Sequence, residues 1–203
     1  TQTSGLPIYN STQHSVAFWV KGASNIGNTT VFGEGSTSDG NPMFNIQTAV
    51  GGNNGKLDMF IRNNGGGADL SHVQTTTTVF DNTWHHVVWT DNNGTAKVYV
   101  DGVLDATNFN YTRGTLTLNT TSIGAFRNSA VAVPFPGSID EVRVYNRVLS
   151  ATEAAALESL SAACIRLARA AAPILADIER SGAGASSARP TRCIASSRPC
   201  CSA

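Results

Sequence analysis

Up to Ser150 the chain is a succession of short runs in which apolar and polar side chains alternate, each run closed by a cluster of Gly and Asn. Alternation with a period of two lets an extended strand bury one face, and Gly and Asn supply the positive φ that tight connections need. This combination confines the first three quarters of the chain to an antiparallel β-sandwich. It predicts strands over Ser15–Lys21, Thr29–Gly33, Met43–Thr48, Lys56–Arg62, Ser71–Thr76, Thr83–Thr90, Thr95–Val100, Val103–Ala106, Gly114–Leu118, Thr121–Gly124 and Gly137–Tyr145. The clusters between them include Gly51–Gly55, Asn63–Gly67 and Asn92–Gly94. No helix-period segment interrupts the series before Ser150.

The stretch Trp84-His85-His86-Val87-Val88-Trp89-Thr90 places Trp84, His86 and Val88 on one face and His85, Val87 and Trp89 on the other. It is followed by Lys97-Val98-Tyr99-Val100-Asp101-Gly102-Val103, in which Asp101-Gly102 is a preferred two-residue hairpin turn. A three-stranded meander is expected.

At Ser150 the period changes. Ser150-Ala151-Thr152-Glu153 has the form of a capping box, and apolar residues then fall at Leu157, Leu160, Cys164, Leu167, Ala171, Ile174 and Ile178 in steps of three and four. The seam suits either an amphipathic helix packed back on the sandwich or one that pairs with another chain's helix. Pro173 should kink or end it. Beyond Ser181 the composition turns to Ser, Ala, Arg and Pro without an aromatic residue. The expected organisation is therefore a β domain at 1–149, a helix at 150–180 and a Ser/Arg/Cys-rich tail at 181–203.

With 14 basic and 14 acidic residues among 203, the chain has no electrostatic footprint for nucleic acid. Six Arg against Asp177 and Glu179 make the end from Ser161 basic and leave the body mildly acidic. No stretch approaches the roughly 18 apolar residues of a membrane span. A first residue other than Met and the lack of a signal peptide suggest a processed or excised product. The cysteines, Cys164, Cys193, Cys200 and Cys201, all lie behind the body, where two disulfides could form in three pairings. Asn10, Asn28, Asn93, Asn110 and Asn119 each open an Asn-x-Ser/Thr sequon, a glycosylation signal if the chain is secreted.

Four motifs in order carry a family resemblance. They are Val16-Ala17-Phe18-Trp19-Val20-Lys21-Gly22; the Trp84–Val87 stretch with Val98-Tyr99-Val100-Asp101-Gly102; Ile123-Gly124; and Phe135-Pro136-Gly137-Ser138-Ile139-Asp140-Glu141-Val142-Arg143-Val144-Tyr145-Asn146-Arg147-Val148-Leu149-Ser150. From about Ser4 to Leu157 the chain resembles the laminin-G-like, concanavalin A-like jelly-roll domains of secreted proteins. The resemblance implies an all-β jelly roll in an extracellular or cell-surface setting, to which the residues behind it add a C-terminal α-helical extension and a Cys-containing tail. Similar domains usually carry a further strand before the position of Gly5, so an unpaired sheet edge completed by a neighbour is a second expectation.

Glycosidases on similar folds carry a strand of closely spaced carboxylates, since glycoside hydrolysis needs a facing pair. Here the acids of the body, Glu34, Asp58 and Asp91 among them, are scattered, and strict alternation would send adjacent Asp140 and Glu141 to opposite faces. No enzymatic activity is expected. His85 and His86 diverge for the same reason and suit structural burial, while His14 and His72 carry no signal. The resemblance implies a structural Ca²⁺ held by the Asp140 carboxylate and the Gly22 carbonyl, although one carboxylate makes a weak site and Asp140 could equally bond neighbouring backbone. For a sugar, an aromatic platform beside amide and charged groups could be assembled from Tyr111, Arg113, Phe126 and Arg127. The expected function is a non-catalytic extracellular binding module for a glycan or glycoprotein. The competing expectation is a structural subunit of an extracellular fibre or adhesin assembly, self-associating through the open edge.

Overall fold

The computed structural model describes residues 6–52, 54–65 and 69–160. A 3-10 turn at Ile8–Asn10 precedes strands β1 (Gln13–Lys21), β2 (Thr30–Gly35), β3 (Met43–Thr48), β4 (Lys56–Arg62), β5 (Asp69–Thr78), β6 (His85–Asn92), β7 (Thr95–Val100) and β8 (Val103–Leu104). There follow β9 (Thr120–Ile123), β10 (Phe126–Arg127), β11 (Val131–Ala132) and β12 (Ser138–Tyr145). The strands form two five-stranded sheets, ordered β12-β1-β6-β7-β8 and β5-β4-β3-β2-β9, with β10-β11 as a separate hairpin. Val16, Phe18, Val87 and Trp89 of the first sheet meet Phe32, Phe44, Ile46, Leu57, Met59 and Ile61 of the second in one buried core. The architecture is an antiparallel β-sandwich consistent with a jelly roll.

Local chemistry accounts for the turns. Asp101 and Gly102 both take positive φ, 51° and 76°, the geometry a type I′ hairpin requires, and β6-β7-β8 is the expected meander. Alternation on β6 also holds, with Val87 and Trp89 in the core. His86 and Val88 on the opposite face are buried as well.

Three expectations need correction. Gly114–Leu118 is not a strand: Leu116 and Leu118 are buried, but the backbone of Thr115 and Thr117 bonds to Asn64 instead of entering a ladder. The strand expected over Val103–Ala106 stops at Leu104, because Asp105 turns its carboxylate onto the N–H groups of Thr76 and Thr77 at 3.0 and 2.8 Å. Alternation through Asp140 and Glu141 fails at a bulge. β1 pairs Ala17 with Arg143 but Trp19 with Asp140, Glu141 has φ 49°, and Ile139 and Val142, three residues apart, both pack on the core.

A helix starts at residue 151 and is described to 160. Its first turn carries the expected box: the Glu153 N–H donates to Ser150 Oγ at 3.2 Å, and the Ser150 N–H donates to Glu153 Oε2 at 2.8 Å. The chain divides into two compact units, the first ending at Ala155. The rest of the expected helix with Cys164 and Pro173, and the tail with Cys193, Cys200 and Cys201, lie outside the described residues.

Candidate functional site

The outward face of the first sheet is covered by the chain itself. Ser15 of β1 donates its hydroxyl to the Arg147 carbonyl at 2.9 Å and accepts the Leu149 N–H at 3.0 Å. Gly102 in the β7-β8 turn lies so close to Ala155 that a Cβ there would stand 3.1 Å from its Cα. Ala17 and Val88 on this face are fully buried. The outward face of the second sheet is different, because its buried residues are polar.

Register places those residues in transverse rows. Thr30 pairs with Gln47, Gln47 with Asp58, and Asp58 with Gln74. In the next row Gly33 pairs with Asn45, Asn45 with Phe60, and Phe60 with His72; in the third, Gly35, Met43, Arg62 and Asp69 follow one another. The alternate residues Phe44, Ile46, Leu57, Met59 and Ile61 point into the core, so these rows face outward.

One side of the face is walled by the β10-β11 hairpin, whose Phe126 ring lies over β2. The ring fits because Gly33 and Gly35 have no side chain: a Cβ on Gly33 would stand 3.3 Å from the ring, and one on Gly35 2.9 Å. Phe60 and His72 form the other side, stacked with ring centroids 4.6 Å apart and 28° between their planes. The Arg62 guanidinium lies 4.7 Å above the Phe60 ring while its Nε donates to Asp69 at 3.1 Å. The rings flank a trough-like strip of the sheet whose floor is made of buried amide and carboxylate side chains.

The floor is under-satisfied. Thr30, Gln47, Asn45 and Asp58 are 0, 2, 3 and 0 % exposed, yet Thr30 Oγ1, Gln47 Nε2, Asn45 Oδ1 and Asp58 Oδ1 have no hydrogen-bond partner. A buried polar atom left without a partner costs about 1–3 kcal/mol, and four in adjoining rows mark where a hydrogen-bonding group from outside is wanted. The other oxygen of Asp58 is engaged: it accepts the Val50 N–H at 3.2 Å and bonds His72 Nε2 at 3.1 Å. Burial pushes the Asp58 carboxyl above its ordinary range, against these bonds.

The residues expected to bind a sugar are not brought together. Tyr111 packs against the core and donates its hydroxyl to Asp91 Oδ2 at 2.5 Å, and Arg113 donates to the same oxygen at 2.9 Å. Both serve an internal network. Phe126 does line the trough, and Arg127 beside it is exposed. Asp140 and Gly22 do not converge either. Asp140 pairs with Trp19, three residues or about 10 Å along β1 from Gly22. Its carboxylate accepts the Glu141 N–H at 2.8 Å, while the Gly22 carbonyl accepts the Asn82 N–H at 2.8 Å. Among the described residues no group of three or more His, Cys, Asp or Glu could hold a metal ion. The five sequon asparagines are all exposed.

The trough residues Asn45, Gln47, Asp58, Phe60 and His72 were not singled out in the sequence. The available signal was Phe60, an aromatic in the polar phase of β4 between Asp58 and Arg62.

Two antiparallel sheets packed as a sandwich, one outward face covered and the other polar, define the fold class as a β-sandwich consistent with a jelly roll. The chain belongs to the concanavalin A-like lectin/glucanases superfamily, whose family model matches residues 2–155. No curated protein matches it. Among solved structures it is similar to the Ruminococcus gnavus IT-sialidase CBM40 bound to α2,3-sialyllactose, at 22% identity and TM-score 0.60 over 74% of this chain and 85% of that one. It is also similar to domain 4 of AbnA, a GH43 extracellular arabinanase from Geobacillus stearothermophilus in complex with arabinotriose. There the identity is 24% and the TM-score 0.53, over 73% of this chain and 67% of that one. A heptameric SAP-like pentraxin from Limulus polyphemus shares 15% identity at TM-score 0.53, over 71% and 69% of the two chains. At these identities the likeness shows the fold.

Proposed function

We propose that this protein is a non-catalytic glycan-binding module and that the trough on the outward face of its second sheet holds the sugar. The observation that carries the reading is the set of four buried, unpartnered polar atoms in two adjoining rows of β2, β3 and β4, beside the Phe126 and Phe60 rings. Sugar rings offer what such a site lacks: hydroxyls that donate and accept, and C–H faces that pack on aromatic rings. The carbohydrate complexes of the two bacterial neighbours support the same reading.

A binding role, rather than hydrolysis, is supported by the carboxylates of the rows. Glycosidases hold their pair about 5–9.5 Å apart. Asp58 and Asp69 stand in rows four residues apart on β4, about 13 Å along the strand, and Asp69 is paired with Arg62. An extracellular setting is supported by the exposed sequons and by the likeness to a domain of an extracellular arabinanase. Among the described residues no helix is long and apolar enough to cross a membrane.

The test is an immobilised-glycan array probed with the full chain. Gln47→Ala and Phe60→Ala should each lower binding about tenfold, the equivalent of one lost contact to a buried polar or aromatic group, with the melting curve kept cooperative. Binding that survives both substitutions in folded protein would move the site elsewhere.

A further inference from the structure

The floor of the trough has a definite polarity, and it bears on which sugars can enter. Of its four unpartnered atoms, Asn45 Oδ1 and Asp58 Oδ1 can only accept, Thr30 Oγ1 can accept or donate, and Gln47 Nε2 can only donate. The Asn45 amide is oriented by its neighbour, since its Nδ2 donates to Gln47 Oε1 at 3.4 Å. That bond leaves Oδ1 on the Gly33 side, 2.8 Å from where a Gly33 Cβ would stand, beside the Phe126 ring. The charged group at the floor is the Asp58 carboxylate, fully buried and facing His72.

The cations of the same strand are engaged away from this floor. Lys56 Nζ bonds the Thr76 carbonyl and Thr78 Oγ1 at the end of β5, and Arg62 pairs with Asp69 in the third row. A sugar carboxylate placed over the floor would therefore meet two acceptors, one of them the Asp58 carboxylate, with the Gln47 amide and the Thr30 hydroxyl as the donors to offset them. A hydroxylated ring would meet its complement: adjacent hydroxyls can donate to Asn45 and Asp58 while one oxygen accepts from Gln47. Like charges and unpaired acceptors held at close range in a buried site are strongly unfavourable, so discrimination should be large.

We propose that the trough selects a neutral, polyhydroxylated sugar unit and rejects sugars that carry a carboxylate, with Asp58 and Asn45 as the discriminating groups. This rests on the reading of the trough as the glycan site. It predicts behaviour opposite to a sialic acid site built on the same sandwich.

The full chain is tested against two probe sets: neutral arabino-, galacto-, gluco- and manno-oligosaccharides, and acidic probes comprising sialyllactose and oligogalacturonate. At least one neutral class should bind at least tenfold tighter than every acidic probe. Asn45→Ala should lower that binding about tenfold, with a cooperative melt retained. Saturation-transfer NMR on the unmutated chain should place the hydroxyl-bearing ring protons, rather than a chain end, against the protein. Equal or preferential binding of acidic probes overturns the selectivity and leaves the glycan reading standing. A folded chain that binds neither set overturns both. Neutral binding untouched by Asn45→Ala in folded protein removes the floor from the recognition and overturns the proposal.

Discussion

His85 and His86 are neighbours on β6 with opposite electrostatic surroundings. Both ring nitrogens of His85 meet carboxylates, Nδ1 to Asp101 at 2.7 Å and Nε2 to Asp81 at 3.2 Å, and the bond to Asp101 raises its pKa. His86 lies against the Trp19 ring, 5.3 Å between centroids, and burial lowers its pKa to about 4. Linkage gives the two opposite signs. Stability from His85 is present below its unfolded pKa, near 6.5, and is lost as pH rises through the higher folded value. Stability associated with neutral His86 is present above about 6.5 and is lost as pH falls towards 4, since the unfolded chain takes up a proton that the fold refuses. Ring-proton NMR should resolve one histidine titrating near 4 and one above 6.5. In melting experiments the deficit of His85→Gln relative to the unmutated chain should be larger at pH 5.5 than at pH 8.5, conditions chosen to bracket the usual histidine range of about 6.5. The motif announced that both residues are structural, and alternation announced that they diverge. It could not announce which one meets carboxylates, because Asp81 and Asp101 reach His85 from separate turns.

At the scale of elements, the β10-β11 hairpin carries the largest difference between sequence and structure. Two strands of two residues each are too short to show a period. What places them is the absence of side chains on β2, where a Cβ on Gly35 would fall on the Arg127 carbonyl oxygen and stand 2.9 Å from Phe126. Gly35→Ala should therefore push the hairpin off the sheet, lowering stability by about 1–3 kcal/mol, the usual cost of overpacking. Because Phe126 is a wall of the trough, glycan binding should fall with it. Denaturant titration and the glycan array check the two effects separately, and a variant with unchanged stability would show that the hairpin does not rest on Gly35. The long strands were legible, and Met43–Thr48, Lys56–Arg62 and Thr95–Val100 have the expected bounds, since each buries an alternating set between turn residues. Gly114–Leu118 alternates as well but spends its buried leucines on the core without a ladder partner.

Across the whole molecule, Asp91 ties together segments distant in the chain. One oxygen accepts the Gly94 N–H at 2.6 Å; the other takes Tyr111 and Arg113. Arg113 in turn lies 4.0 Å over the Tyr9 ring and donates to the Tyr9 carbonyl, which anchors the first turn of the chain to the sandwich. Burial lowers the pKa of His14 beside them, so it stays neutral, with Nδ1 3.1 Å from the Ser11 carbonyl and Nε2 taking the Trp89 N–H at 3.4 Å. Asp91→Ala leaves the Arg113 charge without its partner and should cost about 3–5 kcal/mol. Urea unfolding measures it, and a loss under about 1 kcal/mol would mean that the network is solvated rather than buried.

The sandwich, the meander, the Asp101-Gly102 turn and the cap at Ser150 were legible in the amino-acid order, because each depends on side-chain period or on residues within a few positions of one another. The same order also determined the family, through four motifs in succession. The candidate site is visible in the tertiary structure alone. Tyr111 and Arg113 carry the residue types a sugar needs but turn inward to Asp91. Thr30, Asn45, Gln47 and Asp58 come from three strands and become one floor only through cross-strand register. Register is set by the pairing of whole strands around a shared core, and no local pattern contains it.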